Sequence, residues 1–237
     1  QTVYIPKIKT SASTLDYTSE SKGIIIINDV IHFEGLEPGK EYTTVGWLML
    51  NENTELVNED NERYESLKSF KPTQSRGTVE VSFEIPIDTL SKGDLVIFEE
   101  LYFKDKLIAE HKDINDADQT VSFVEIIIKK VDSDTKATLK GVEFTLYDVN
   151  GKPIQSLTTN EHGSVRFLVP RGQYHIQETK VLDGYISNNK KYPFTILGNE
   201  DNHEVILELE NKLIHELPKT GIGVTTNEII AVTLLST

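Results

Sequence analysis

Short runs rich in Val, Ile, Phe, Tyr and Thr recur along most of the chain, broken by Gly, Pro, Asn and Asp. Alternation of apolar and polar positions over such short runs predicts strands, and no stretch carries a convincing helical period. In the first part, strands are predicted over Gly23 to Asp29, Tyr42 to Leu50, Thr78 to Ile85, Asp94 to Phe103 and Gln119 to Ile128. Pro38-Gly39 and Ser91-Lys92-Gly93 mark turns between them. The polar stretch from Asn51 to Asn61 has little to bury and is expected to be an exposed loop.

The same grammar resumes near Phe123, with runs at Lys130-Val131-Asp132, Val142 to Tyr147, Ser164 to Leu168, Gln173 to Glu178 and Glu204 to Glu210. Asn150-Gly151 is a hairpin signal, because both residues accept the positive φ of a type I′ turn. The expectation is an all-β chain of two tandem β-sandwich domains, residues 1–122 and 123–213, followed by a disordered tail over residues 214–237.

Composition then narrows the function. A formal charge of −14 and a pI near 4.9 argue against nucleic acid, which needs clustered Lys and Arg for its phosphates. Cys is absent, so disulfides, thiolate metal sites, a cysteine nucleophile and a thioester head are all excluded. Stability outside the cell would need another source. The chain starts at Gln1 without a basic start or an apolar signal segment, which suggests a mature form or, the favoured reading, a piece of a longer protein.

Leu217-Pro218-Lys219-Thr220-Gly221 follows the last β run and matches the LPxTG sorting signal of wall-anchored Gram-positive surface proteins. Pro fixes its own φ and keeps the preceding residue extended, so the segment can lie in a protease-like groove with the Thr220 carbonyl open to attack. The resemblance implies cleavage between Thr220 and Gly221 by a sortase cysteine and transfer of the Thr220 acyl group to a peptidoglycan amine. A complete signal continues into an apolar span of about 20 residues and a basic end. Here Ile222 to Thr237 are interrupted by Asn227 and Glu228, so truncation is expected.

In the second part, Lys130-Val131-Asp132, Leu139-Lys140-Gly141-Val142-Glu143-Phe144-Thr145-Leu146, Gly163, Tyr174 to Glu178, Gly184-Tyr185 and Asn211 follow the order and spacing of the Cna-B (prealbumin-like, SpaA-like) domains of Gram-positive pilins and adhesins. Val142 stands where Ala is usual, and the common Pro before Gly184-Tyr185 is missing. The resemblance implies an isopeptide bond between Lys130 and Asn211, assisted by Glu178 as acid. Burial disfavours charge, so a buried Lys tends toward the neutral amine that can attack a carboxamide carbon. Lys129 is the rival nucleophile, since alternation turns only one of two adjacent lysines inward. Without the family pattern, each of these residues would be read as solvated.

In the first part, Thr10-Ser11-Ala12, Asp29, Leu36 to Tyr42, Val96-Ile97-Phe98-Glu99 and His111 to Val121 resemble the VaFE repeats, Ig-like stalk domains. Phe33 stands where Tyr is more usual. Some members join a Thr on the first strand to a Gln on the last by an ester, which implies Thr10 and Gln119 here. A hydroxyl needs a base, and His111 is the motif's candidate. The resemblance has Asp29 and Glu99 act as acids around the carboxamide and Asp116 orient the site. Glu84 or Glu100 could replace Glu99, and Thr2 or Thr14 could replace Thr10. Read alone, the His111 segment is a charged, solvated hairpin. As a calcium loop it lacks the Gly and the terminal Glu, so no metal and no cofactor is expected.

The expected function is a structural stalk of a secreted, cell-wall-anchored adhesin or pilin, processed by sortase and stiffened by self-formed ester and isopeptide bonds. The chief alternative is a module that binds a host glycan or protein through the Asn51 to Asn61 loop or aromatics such as Trp47. A hydrolase built on His111 ranks below both, because residues that consume each other leave no turnover site.

Overall fold

In the computed structural model of the chain, residues 5–18, 23–51, 54–187, 189–197 and 203–214 are described. Fifteen strands run through them: β1 Lys7–Thr18, β2 Ile24–Glu34, β3 Tyr42–Asn51, β4 Thr54–Glu55, β5 Glu65–Phe70, β6 Arg76–Pro86, β7 Gly93–Phe103, β8 Lys106–His111, β9 Thr120–Asp132, β10 Glu143–Asp148, β11 Pro153–Thr158, β12 Ser164–Pro170, β13 Gly172–Lys180, β14 Lys191–Ile196 and β15 Glu204–Asn211. Two short 3-10 turns, Ile87–Thr89 and Ala117–Gln119, lie between strands of the first part. The fold is all-β, as two sandwiches.

The first sandwich packs the sheet β1-β2-β6 against β3 and β7, with β5 and β8 at the flanks. Ile25, Ile27, Ile31 and Phe33 of β2 alternate inward and meet Val79, Val81, Phe83 and Ile85 of β6 and Leu48, Leu95, Ile97 and Leu101 of the facing sheet. The second packs β12-β9-β15 against β11-β10-β13-β14, around Ile126, Ile128, Phe144, Leu146, Phe167 and Ile176. The first core ends with Phe123 and the second begins with Val124.

That division falls inside one strand. β9 pairs with β7 over Thr120 to Phe123 and with β12 and β15 from Phe123 to Asp132. The separate runs expected at Gln119 to Ile128 and at Lys130 to Asp132 are therefore one continuous element. Across the same junction Lys92 pairs with Glu204, and His203 Nε2 lies 3.3 Å from Asp94 Oδ1.

Two expectations need correction. The stretch expected to be an exposed loop from Asn51 contains the short strand β4 and buries Leu56, which packs into the first core. Trp47 is not an exposed aromatic, with only 6% of its surface accessible. The Leu217 to Gly221 motif and the tail after it lie outside the described residues.

Candidate functional site: two buried polar clusters

Polar side chains buried in a β core need a reason, since each must find a partner or cost free energy. The first sandwich buries Thr10, Asp29, Glu99 and Gln119, the last three with no accessible surface. Thr10 sits two residues after Ile8 on the inward face of β1, and Asp29 shares the inward face of β2 with Ile27 and Ile31. Glu99 lies between Ile97 and Leu101 on β7, paired with Gly46 of β3 and His111 of β8. Gln119 closes the Ala117–Gln119 turn.

The contacts form a chain. Thr10 Oγ1 is 3.3 Å from His111 Nδ1, and His111 Nε2 is 3.0 Å from Asp116 Oδ2. The other Asp116 oxygen accepts from Asp118 N at 2.9 Å, which caps the turn that carries Gln119. Gln119 Nε2 donates to the Ile97 carbonyl at 2.6 Å and to Glu99 Oε2 at 3.0 Å, with the His111 carbonyl at 3.2 Å. These bonds fix the amide plane and leave Gln119 Oε1 buried without a donor.

Were both carboxyls ionised, both oxygens of Asp29 and Glu99 Oε1 would also be orphaned. Burial, the Asp29 charge and a hydrogen bond to Asp29 push Glu99 up to about 11. Burial also raises Asp29. Glu99 therefore holds a proton that it shares with Asp29, as expected for two acids confined together. Of the alternatives, Glu84 is exposed, and Glu100 faces away, bonded to Tyr102 and Lys112. Thr2 and the Thr14 side chain lie outside the described residues.

The second sandwich buries Lys130, Glu178 and Asn211, at 1%, 3% and 2% exposure. Lys129 points to solvent. Lys130 is on β9 and Asn211 on the parallel neighbour β15, where Leu209 pairs with Lys130 and Asn211 with Asp132. Glu178 reaches across from β13 of the facing sheet. Its Oε2 is 2.9 Å from Lys130 Nζ, and its Oε1 accepts from Asn211 Nδ2 at 3.0 Å. One carboxyl thus touches both other members. Burial lowers the Lys130 pKa, the ammonium lies 5.7 Å from the Phe144 ring centroid, and Asn211 Oδ1 has no donor.

Two glycines belong to these sites: Gly163, which stands in the family pattern without a stated role, and Gly46, which stands in none. A Cβ on Gly46 would stand 3.1 Å from Phe83 and 3.8 Å from Glu99 Cγ. Gly163 has φ +65°, and a Cβ there would come within 2.7 Å of the Lys130 carbonyl oxygen. Asp132, two residues beyond Lys130, accepts from Thr135 N at 2.7 Å, Thr135 Oγ1 at 2.8 Å and Asp134 N at 3.0 Å, which fixes the turn after β9. Those bonds, led by the Thr135 amide, hold its carboxyl down at about 2.

Residues 6–123 match the family model of the T-Q ester bond containing domain, and residues 124–213 match that of the prealbumin-like fold domain, SpaA. Over 72 residues the chain is 39% identical to the trypsin-resistant surface T6 protein of Streptococcus pyogenes serotype M6. That match takes in 30% of this chain and spans only 13% of the relative. Among solved structures, domains D2 and D3 of the major pilin SpaD from Corynebacterium diphtheriae align over 86% of this chain and 99% of that one, at 15% identity and a TM-score of 0.52. That likeness is one of fold.

Proposed function

We propose that this chain is a stalk segment of a Gram-positive surface pilin or adhesin that cross-links itself twice, by a Thr10–Gln119 ester and a Lys130–Asn211 isopeptide bond. The observation that carries this reading is the pair of buried clusters, each joining a nucleophile and a carboxamide from opposite ends of its domain's sequence through a carboxyl or an imidazole. The ester-bond and prealbumin-like family matches support it.

In the first cluster His111 takes the Thr10 hydroxyl proton while Oγ1 attacks the Gln119 carboxamide carbon. The C–Nε2 bond breaks, and Glu99, already protonated and beside Nε2, supplies the proton with which ammonia leaves. Asp116 holds the imidazole and stabilises its charge. In the second cluster Glu178 accepts a proton from Lys130, whose amine attacks the Asn211 carboxamide carbon. As the bond from that carbon to Nδ2 breaks, the same carboxyl, bonded to Nδ2, returns that proton to the departing ammonia and takes up the second proton of the former ammonium, so that the new amide keeps one hydrogen. Confinement in a dry core supplies much of the acceleration. Each bond forms once, so the chain turns over no substrate.

The Leu217 to Gly221 motif fits this role. A sortase would cleave after Thr220 and join that residue to peptidoglycan, placing the stalk outside the cell on the wall. Intact mass tests the cross-links directly. The folded chain should weigh two ammonia molecules less than its sequence, and Thr10→Ala and Lys130→Ala should each restore one. A mass equal to the translated sequence would sink the reading.

A further inference from the structure

Behind the ester cluster, on the outer face of the same sheet, Trp47, Met49, Val96 and Phe98 form a third small core against which Val45 and Ile114 pack. Two cations cover the indole: the Arg63 guanidinium lies 4.6 Å and Lys112 Nζ 5.1 Å from its centroid. Each cation is itself held, Arg63 by Glu65 and by Glu55 at 3.6 Å, Lys112 by Glu100 and by Glu110 at 3.0 Å. Such cation–ring contacts gain strength once partly desolvated.

Strand alternation sets this core back to back with the reactive centre. Trp47 pairs with Phe98 on the outer face, while their neighbours Gly46 and Glu99 pair on the inner one. His111 pairs with Glu99, and the next residue, Lys112, turns outward over Trp47. Ile114 then anchors the segment that runs on to Asp116 and Gln119. Between the end of β8 and the Ala117–Gln119 turn this segment has no strand pairing. It carries Asp116, and its two ends are fixed to His111, the last residue of β8, and to the turn that holds Gln119.

We propose that the Trp47 core is a positioning platform for the ester centre. Through Lys112 and Ile114 it holds residues 111–119 so that His111, Asp116 and Gln119 meet Thr10 in reactive geometry. The proposal rests on the ester reading above. A displacement of about 1 Å can cost about 100-fold in a proximity-driven reaction, so a loosened platform acts on the rate of bond formation.

The full chain, synthesised cell-free and followed in time by intact mass, tests this. Thr10→Ala and Lys130→Ala identify which ammonia loss belongs to which bond, and the Lys130-dependent loss in each variant is the control for synthesis and folding. Trp47→Leu and Ile114→Ala should slow the Thr10-dependent loss about 10-fold or more and leave the other unchanged. Trp47→Phe, which keeps a ring beneath both cations, should recover most of the rate, a rescue that a general loss of stability does not predict. Absence of any Thr10-dependent loss in the parent chain would refute the ester itself. A parent that forms the ester, with Ile114→Ala and Lys112→Met equally fast, would refute the platform alone; these two milder variants decide the matter should Trp47→Leu not fold.

Discussion

At the scale of single residues, both clusters set buried charge against chemistry. Lys130 is tolerable at 1% exposure because Glu178 stands beside it, so removing the acid alone leaves an ammonium without a partner. Glu178→Ala should be about 3–5 kcal/mol less stable than the double variant Lys130→Met, Glu178→Gln in chemical denaturation, although neither can cross-link. Glu99 gives a pH signature of definite sign. Its carboxyl is pushed from the ordinary 4.5 up to about 11, so across that window the folded chain keeps a proton that the unfolded chain releases. The contribution is whole below about pH 4.5 and is lost as pH rises toward 11. In a Thr10→Ala background, which cannot form the ester, the melting temperature of the first sandwich should fall from pH 5 to pH 9. Adding Glu99→Gln should flatten that slope, and an unchanged slope would place the proton elsewhere.

At the scale of elements, legibility followed burial. Strands with a full inward face, such as β2, β3, β6 and β7, announced themselves by alternation, and their expected limits differ from those found by a few residues. β5, β8, β11 and β14 did not, because they lie at sheet flanks and few of their residues are buried. The run Lys7–Thr18 is short of large apolar residues, so only the family pattern placed Thr10 on a strand. The continuity of β9 was hidden because Lys129 and Lys130 interrupt an apolar run, and sequence alone does not say that one lysine is buried. The family patterns named the residues of both clusters, but not the closeness of Glu99 to Asp29 or the packing of Lys112 and Ile114 on Trp47, which depend on contacts between distant strands. Gly163 is a test at this scale. Its left-handed φ and its closeness to the Lys130 carbonyl leave no room for a methyl group. Gly163→Ala should cost about 1–3 kcal/mol and slow isopeptide formation, read as a larger uncondensed fraction by mass.

At the scale of the whole molecule, each proposed bond closes most of a sandwich into a loop, an entropic stabilisation of about 4–5 kcal/mol apiece by the estimate used for disulfides. Although the chain carries 24 Lys and Arg, the parent should survive trypsin far longer than a Thr10→Ala, Lys130→Ala double variant, as followed on denaturing gels. The continuity of β9 has a mechanical corollary. Gln119 directly precedes the strand and Lys130 lies within it, so one bond enters at its start and the other leaves near its end. A pull on the two termini would run from Thr10 into Gln119, along about 36 Å of extended backbone, and out through Lys130 to Asn211. Residues 11–118 and 131–210 would hang beside that short thread as slack that tension never reaches. The stalk would then be inextensible whether its sandwiches were folded or not, and their task would be to shelter the two knots from water.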